Sequence, residues 1–332
     1  LIKFKEGELK ENIMLARDYF PPVKYGAKWL SSDSLSGFDD FATVRYVDGD
    51  NGSDSENGLT TSSAFATIQG AIDASSARDI IYIRAMAPES DASEPGTYVE
   101  DLTIPYAKNG LKLIGMSGTG SLQPFSGPKI KNATATALLT VNAPYVQISG
   151  LQFNCTRNSG TYGIYLTGNT GYTTAGGSVG FLIDNCYIKN ASATYGGISV
   201  YGGYSGLISR CTFALGTDCL AINLDCNTLP NNGHTIEYCN FKSNNGASVA
   251  LHVSLENSKD VNVNGCNFDQ ATKFITVVDG CTGVISNCCF NDGSSTTTAK
   301  STGKIEIPAA NDEVGVVGCY GGGNALIAQD GA

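Results

Sequence analysis

Histidine, tryptophan and methionine are scarce in this chain: two, one and three among 332 residues. With only His234 and His252, mechanisms that need several imidazoles have few places to sit. Charge is sparse as well, at 16% of residues, and basic charge most of all, with 21 Lys and Arg against 31 Asp and Glu. A net charge of −10 repels phosphate backbones and argues against broad nucleic-acid binding. No apolar run approaches the ~18 residues of a membrane span. The opening "LIKFKEGELKENIML" interrupts every apolar stretch with charge, which excludes a signal peptide there. Because the chain starts at Leu1, removal of an initiator Met or a longer leader is expected. Zinc-type cysteine spacing, phosphate loops and a nucleophile triad are all missing, so neither cofactor nor metal is expected.

What remains is rich in small polar residues. Glycine alone contributes 40 positions, and Ser, Thr and Asn fill much of the rest. That mix suits many short strands joined by tight turns. An odd cysteine count, 11, argues against a fully paired disulfide set. Buried thiols acting as small apolar fillers imply folding in a reducing compartment.

Five copies of one phrase place a cysteine at the same position: "FLIDNCYI", "GLISRCTF", "HTIEYCNF", "VNVNGCNF" and "GVISNCCF". Its pattern is apolar-x-x-Cys-x-aromatic or apolar. Ile183, Ile208, Ile236, Val263 and Ile285 lead; Cys186, Cys211, Cys239, Cys266 and Cys288 follow; Ile188, Phe213, Phe241, Phe268 and Phe290 close. A sixth copy, "QISGLQF", puts Leu151 in the thiol slot. A second apolar run trails each phrase: "IYL" at Ile164, "ISV" at Ile198, "INL" at Ile222, "VAL" at Val249 and "ITV" at Ile275. A period in the twenties with variable insertions predicts a solenoid with at least two strands per repeat. One coil cannot bury its own apolar face; stacking coils ~4.8 Å apart buries a continuous column and pairs the backbone in parallel ladders. The expected fold is all-β, a single parallel β-helix.

The segment "YVDGDNGSDSENGLTTSSAFATIQGAID" (46–73), with Phe65, Ile68, Ala71 and Ile72 at helical spacing and Gly96-Thr97-Tyr98 with Glu100 after it, resembles the entry of the pectate-lyase-like right-handed β-helix superfamily. The resemblance runs over residues 44–320 and implies a short capping helix before the first full coil. It says little about activity, because enzymes and inert virion proteins share the fold. Residues 1–43 are expected to form an anchoring arm and linker, and 321–332 a C-terminal tail. The arm carries Tyr19, Phe20, Tyr25 and Trp29 around Pro21-Pro22; such aromatics need a surface to cover them, either the chain's own solenoid or a partner.

Candidate chemistry is thin. The outward position after each leading apolar residue is Asp184, Ser209, Glu237, Asn264 or Ser286. Asp184 and Glu237 lie two coils apart, ~9–10 Å by strand spacing, at the long end for an inverting pair of sugar-cleaving carboxylates. "GTDCLAINLDCNTLPNNGHTIEY" resembles the polygalacturonase-type hydrolases through Asp218-Cys219 and Gly233-His234, with Asp225 as a possible second acid. Thr217 and Thr235 break those motifs. His234 capping a turn is the alternative. A lyase site drawn from Asp184, Asp218, Asp225 and Arg210 is compelled by no spacing.

Two functions stay open. The resemblance implies a structural protein on a bacteriophage surface, a capsid decoration or cement protein or a spike, often a homotrimer. It would be docked to other virion proteins through residues 1–43 and folded in the host cytoplasm. The alternative is a tail-spike depolymerase, hydrolase or lyase, with Tyr201 and Tyr204 stacking on a polysaccharide ligand.

Overall fold

The computed structural model describes residues 24–25, 28–29 and, from 42 to 321, all but connections at 88–95, 117–126, 134–136, 156–161, 168–175, 191–195, 217–218, 226–230, 244–248, 270, 279, 292–304 and 308–312. Two compact units emerge, Leu1–Ala42 and Thr43–Ala332. Of the first, the description covers one antiparallel pair, Lys24–Tyr25 with Lys28–Trp29.

The second unit is a parallel β-helix. Three sheets of ten, nine and eight strands run its length, and a three-stranded fourth sheet is confined to middle coils. Sheet 1 runs from Val44–Val47 to Glu313–Val317, sheet 2 from Thr97–Val99 to Tyr320–Gly321, and sheet 3 from Leu102–Ile104 to Ile305–Glu306. Every strand in these sheets pairs in parallel with the strand one coil away.

The repeated phrase is not one strand. It is two, bent around a single residue in the left-handed region. Gly150, Asn185, Arg210, Tyr238, Gly265, Asn287 and Gly318 occupy this corner in successive coils, each with φ between 49° and 70°. The sharp turn carries the chain from sheet 1 to sheet 2, and the corner N–H is tied to the next coil, as in Asn185 to the Ser209 carbonyl and Arg210 to the Glu237 carbonyl, both at 3.0 Å.

The bend explains the thiols. Cys186, Cys211, Cys239, Cys266, Cys288 and Cys319 sit just inside it, fully buried. Each donates weakly to the carbonyl two residues back, at 3.2–3.7 Å. Each also lies 3.6–3.9 Å from a carbonyl of the preceding coil. Cysteine combines small volume with an S–H that a buried carbonyl accepts. Burial pushes the Cys186 and Cys211 thiols well up, so they stay protonated and unreactive. Among the described cysteines all are free, and Cys289 alone is exposed.

Two residues further on, the rings stack. Phe213, Phe241, Phe268 and Phe290 are spaced 4.8, 4.6 and 4.9 Å with interplanar angles of 12° or less. These are the coil spacing itself, close to the offset-stacked optimum for aromatic pairs. The second apolar run lines sheet 3, with Ile164, Ile198, Ile222, Val253 and Ile275 in register. Here one expectation shifts: Val253 holds the file position, not Val249. The strand is seven residues long, Val249–Leu255, so its first apolar residues precede the aligned ones.

The entry cap follows from short polar contacts. Helix α1, Ile68–Ala74, buries Ile68, Ala71 and Ile72, with Phe65 buried just before it. The amides leading into it and its first amides are satisfied from two sides. Asp54 accepts from Ala66 and Thr67, and Glu100 accepts from Ile68 and Gln69 at 3.0 and 2.9 Å. Burial raises the Glu100 carboxyl despite those donors.

Phe241 touches a ring on either side in its own file and His252 beside it. Phe241→Ala is expected to destabilise the solenoid by about 3–5 kcal/mol; a urea midpoint unchanged from wild type would show that the ring file contributes little.

Candidate functional site

Asp184, Ser209, Glu237, Asn264 and Ser286 stand in one register along sheet 1, as their spacing predicts. Their side chains are engaged with one another. Arg210 grips Asp184 through Nε and an Nη atom at 2.8 and 2.6 Å, and that carboxylate raises the Arg210 guanidinium further. Ser209 Oγ donates to Glu237 Oε1 at 3.2 Å, and Ser286 Oγ to Asn264 Oδ1 at 3.1 Å. Both Asp184 oxygens are taken and Ser209 occupies the coil between the acids. The file is a polar ladder joining coils.

Asp225 lies on sheet 3, away from Asp184, so the described residues do not gather the two acids into one lyase-type cluster. Asp218 and Thr217 fall outside the described residues, as do Tyr19 and Phe20. Tyr25 and Trp29 belong to the short antiparallel pair. Among the described residues no three His, Cys, Asp or Glu side chains form a group able to hold a metal ion, and no helix is long and apolar enough to cross a membrane.

Around Asp225 the surface has another character. Tyr201 is its register partner one coil earlier. Tyr165, on the preceding strand, stacks on Tyr162 with centroids 5.5 Å apart and planes 17° apart. Burial raises the Tyr165 hydroxyl, and Tyr201 and Asp225 raise it further, which places all three side chains in one electrostatic neighbourhood. Leu224 pairs with Leu255, and the Glu256 N–H donates to the Leu224 carbonyl at 3.0 Å, so Glu256 follows Asp225 on the next coil. The patch therefore holds three half-buried tyrosines and two carboxylates on successive coils. Tyr162, Tyr165 and Glu256 escape a search for acid pairs or phrase copies. The signal was the residue just past "INL" and "VSL", and the tyrosines flanking Ile164.

Both histidines serve the fold. His252 lies inside the coil among Phe241, Phe268 and Phe274, its ring stacked at 2° on Phe274. His234 is buried. Its Nδ1 accepts the Gly206 N–H at 2.9 Å, close to the turn-capping role its sequence position suggests. Burial pulls its pKa down from 6.5 to about 4.

The family model described as "Right handed beta helix region" matches residues 136–318, more than half of the chain. Similar solved structures include the pectin methylesterase of Aspergillus niger, with 17% identity over 85% of this chain and 87% of that one at a TM-score of 0.41. A rhamnogalacturonan lyase has 12% identity over 75% and 68%, at 0.49. ORF18 of Geobacillus virus E2 has 14% identity over 90% and 66%, at 0.44. At these identities the likeness extends to the fold and no further. No curated protein sequence matches the chain.

Because His234 is held neutral, its stabilisation is complete above pH 6.5 and is lost as pH falls toward 4. The whole loss is about 3 kcal/mol. Unfolding measured from pH 7.5 to 3.5 is expected to show this decline in the wild type and a shallower one in His234→Gln; parallel curves would exclude His234 as the group responsible.

Proposed function

We propose, for a chain that belongs to the right handed beta helix region family, that it binds an extended polysaccharide across the outer face of sheet 3, at the surface of a bacteriophage particle. The observation that carries this reading is the patch of Tyr162, Tyr165 and Tyr201 beside Asp225 and Glu256. Aromatic side chains held half-buried offer a rigid apolar face with a polar edge, at little entropic cost on binding. Carboxylates beside them accept hydrogen bonds from hydroxyls. Coils stacked at ~4.8 Å present these groups as a row along the solenoid axis, a shape suited to a linear polymer rather than a compact ligand.

Cleavage of that polymer is the second reading, and one feature favours it. Asp225 and Glu256 occupy adjacent coils beside the tyrosines, so a sugar bound there would meet two carboxylates, the pair a glycosidase requires. Attachment to the particle falls to residues 1–43, whose Tyr25 and Trp29 are candidate anchors, with other virion proteins as partners.

Binding to arrayed bacterial surface polysaccharides reads the proposal directly. Tyr165→Ala and Tyr201→Ala should each weaken capture about tenfold, with folding unchanged. Capture of no glycan, or capture indifferent to both substitutions, rejects it. Release of reducing ends by wild type but not by Asp225→Asn or Glu256→Gln would identify the patch as catalytic. For the anchor, Tyr25→Ala with Trp29→Ala should abolish recovery of the protein with purified particles while sparing glycan capture.

A further inference from the structure

The long sheets differ in the charge they carry. The strands of sheet 2 hold four lysines, whereas those of sheet 3 hold one basic residue, Lys273. Lys273 is already engaged, with its Nζ 2.5 Å from Glu306 Oε2. Along the outside of sheet 3 runs a file of Thr140, Tyr165, Ser199, Asn223, Ser254 and Thr276, in register over six successive coils. All six are uncharged, and each carries a hydroxyl or amide that both donates and accepts hydrogen bonds. Six stacked coils offer such groups over about 24 Å. Two residues past Asn223 and Ser254 stand Asp225 and Glu256, beside the file on adjacent coils. As carboxylates they only accept.

We infer that this face takes an uncharged polysaccharide and rejects one built of uronic acids. The inference rests on the glycan reading and narrows it to a substrate class. A sugar hydroxyl finds a match at either kind of residue. It donates to Asp225 or Glu256, and it exchanges donor and acceptor roles with the serines, threonines and asparagine of the file. A sugar carboxylate finds none. It needs N–H donors or a cation, and the one cation of these strands is held by Glu306. It would lie instead against two charges of its own sign, and like charges brought together at an interface are strongly selected against. Tyr165 and Tyr201 offer an apolar face to sugars of either class. The tyrosines therefore set affinity, and Asp225 and Glu256 set which class is admitted.

Arrayed bacterial polysaccharides of known composition, with polygalacturonate and alginate as uronate probes, test it. The wild type should capture uncharged members about tenfold or more tightly than either uronate. Asp225→Asn combined with Glu256→Gln should narrow that gap about tenfold. Asp184→Asn combined with Glu237→Gln removes the same charge from sheet 1 and should leave the gap as it is. An equal narrowing in that control would make net charge the cause and overturn the proposal, as would no narrowing in the sheet 3 pair. Capture of polygalacturonate by wild type as tight as that of any uncharged polymer, and lost in Tyr165→Ala, overturns it while leaving the patch a glycan site. Capture of no polysaccharide rejects both readings. Unfolding midpoints matching wild type exclude misfolding of the variants.

Discussion

Each coil of this protein is finished only by the next. The parallel ladder that joins them places residue above residue at a fixed interval, and the interior follows from that constraint. A phenylalanine repeated at the coil spacing meets its copies at 4.6–4.9 Å, nearly coplanar. A cysteine repeated inside the corner finds a carbonyl of its own coil and another of the coil before. Neither arrangement exists in one repeat taken alone. Stability is therefore a sum of neighbour terms, and like must sit on like, because a larger side chain in a file presses on the same position above and below. Histidine shows the limit of the rule. His252 enters the ring column by lying flat on Phe274, and it is tolerated there because its Nε2 reaches the Asp269 carbonyl at 3.1 Å.

The same constraint governs the outside, with a different consequence. Outward residues also form files, so acids two coils apart arise by arithmetic in any acidic solenoid. Separation between carboxylates is then weak evidence of catalysis. What distinguishes one file from another is what lies beside it. Asp184 and Glu237 are tied into a ladder by Arg210 and Ser209. Asp225 stands among tyrosines. Equal spacing has thus produced a structural ladder on one sheet and an acidic patch lined by tyrosines on another.

The interior was legible in the amino-acid sequence because the ladder writes it in repeated letters. Ile183, Cys186 and Ile188 recur as a phrase, and each occupies the file that its position predicts. The bend within the phrase was not legible. On one strand an isoleucine and a cysteine three apart would face opposite sides, so the odd spacing holds the bend, but only for a reader who already knows that both are buried, and the corner residue varies among Gly, Asn, Arg and Tyr. The strand Val249–Leu255 begins where its apolar letters place it, but its register lies four residues on, because such letters alone do not fix where a longer strand aligns with its neighbours. The sheet 3 patch was less visible still. Its residues come from four coils, none is repeated, and only the register between strands, as of Tyr201 with Asp225, brings them together.

Arg210 and Tyr238 show why the corner varies. Left-handed backbone costs a non-glycine residue roughly 1–2 kcal/mol, and glycine or asparagine fills most of these positions. The two exceptions have side chains that reach another coil. Arg210 returns to Asp184. Tyr238 lies over Gly265, where an added Cβ would come within 2.8 Å of its ring. Gly265 is thus held to glycine by its own positive φ and by the tyrosine above it. Local preference yields at these two coils to contacts between coils, and the side chains that displaced it lie on the corner surface where Tyr238 remains more than half exposed.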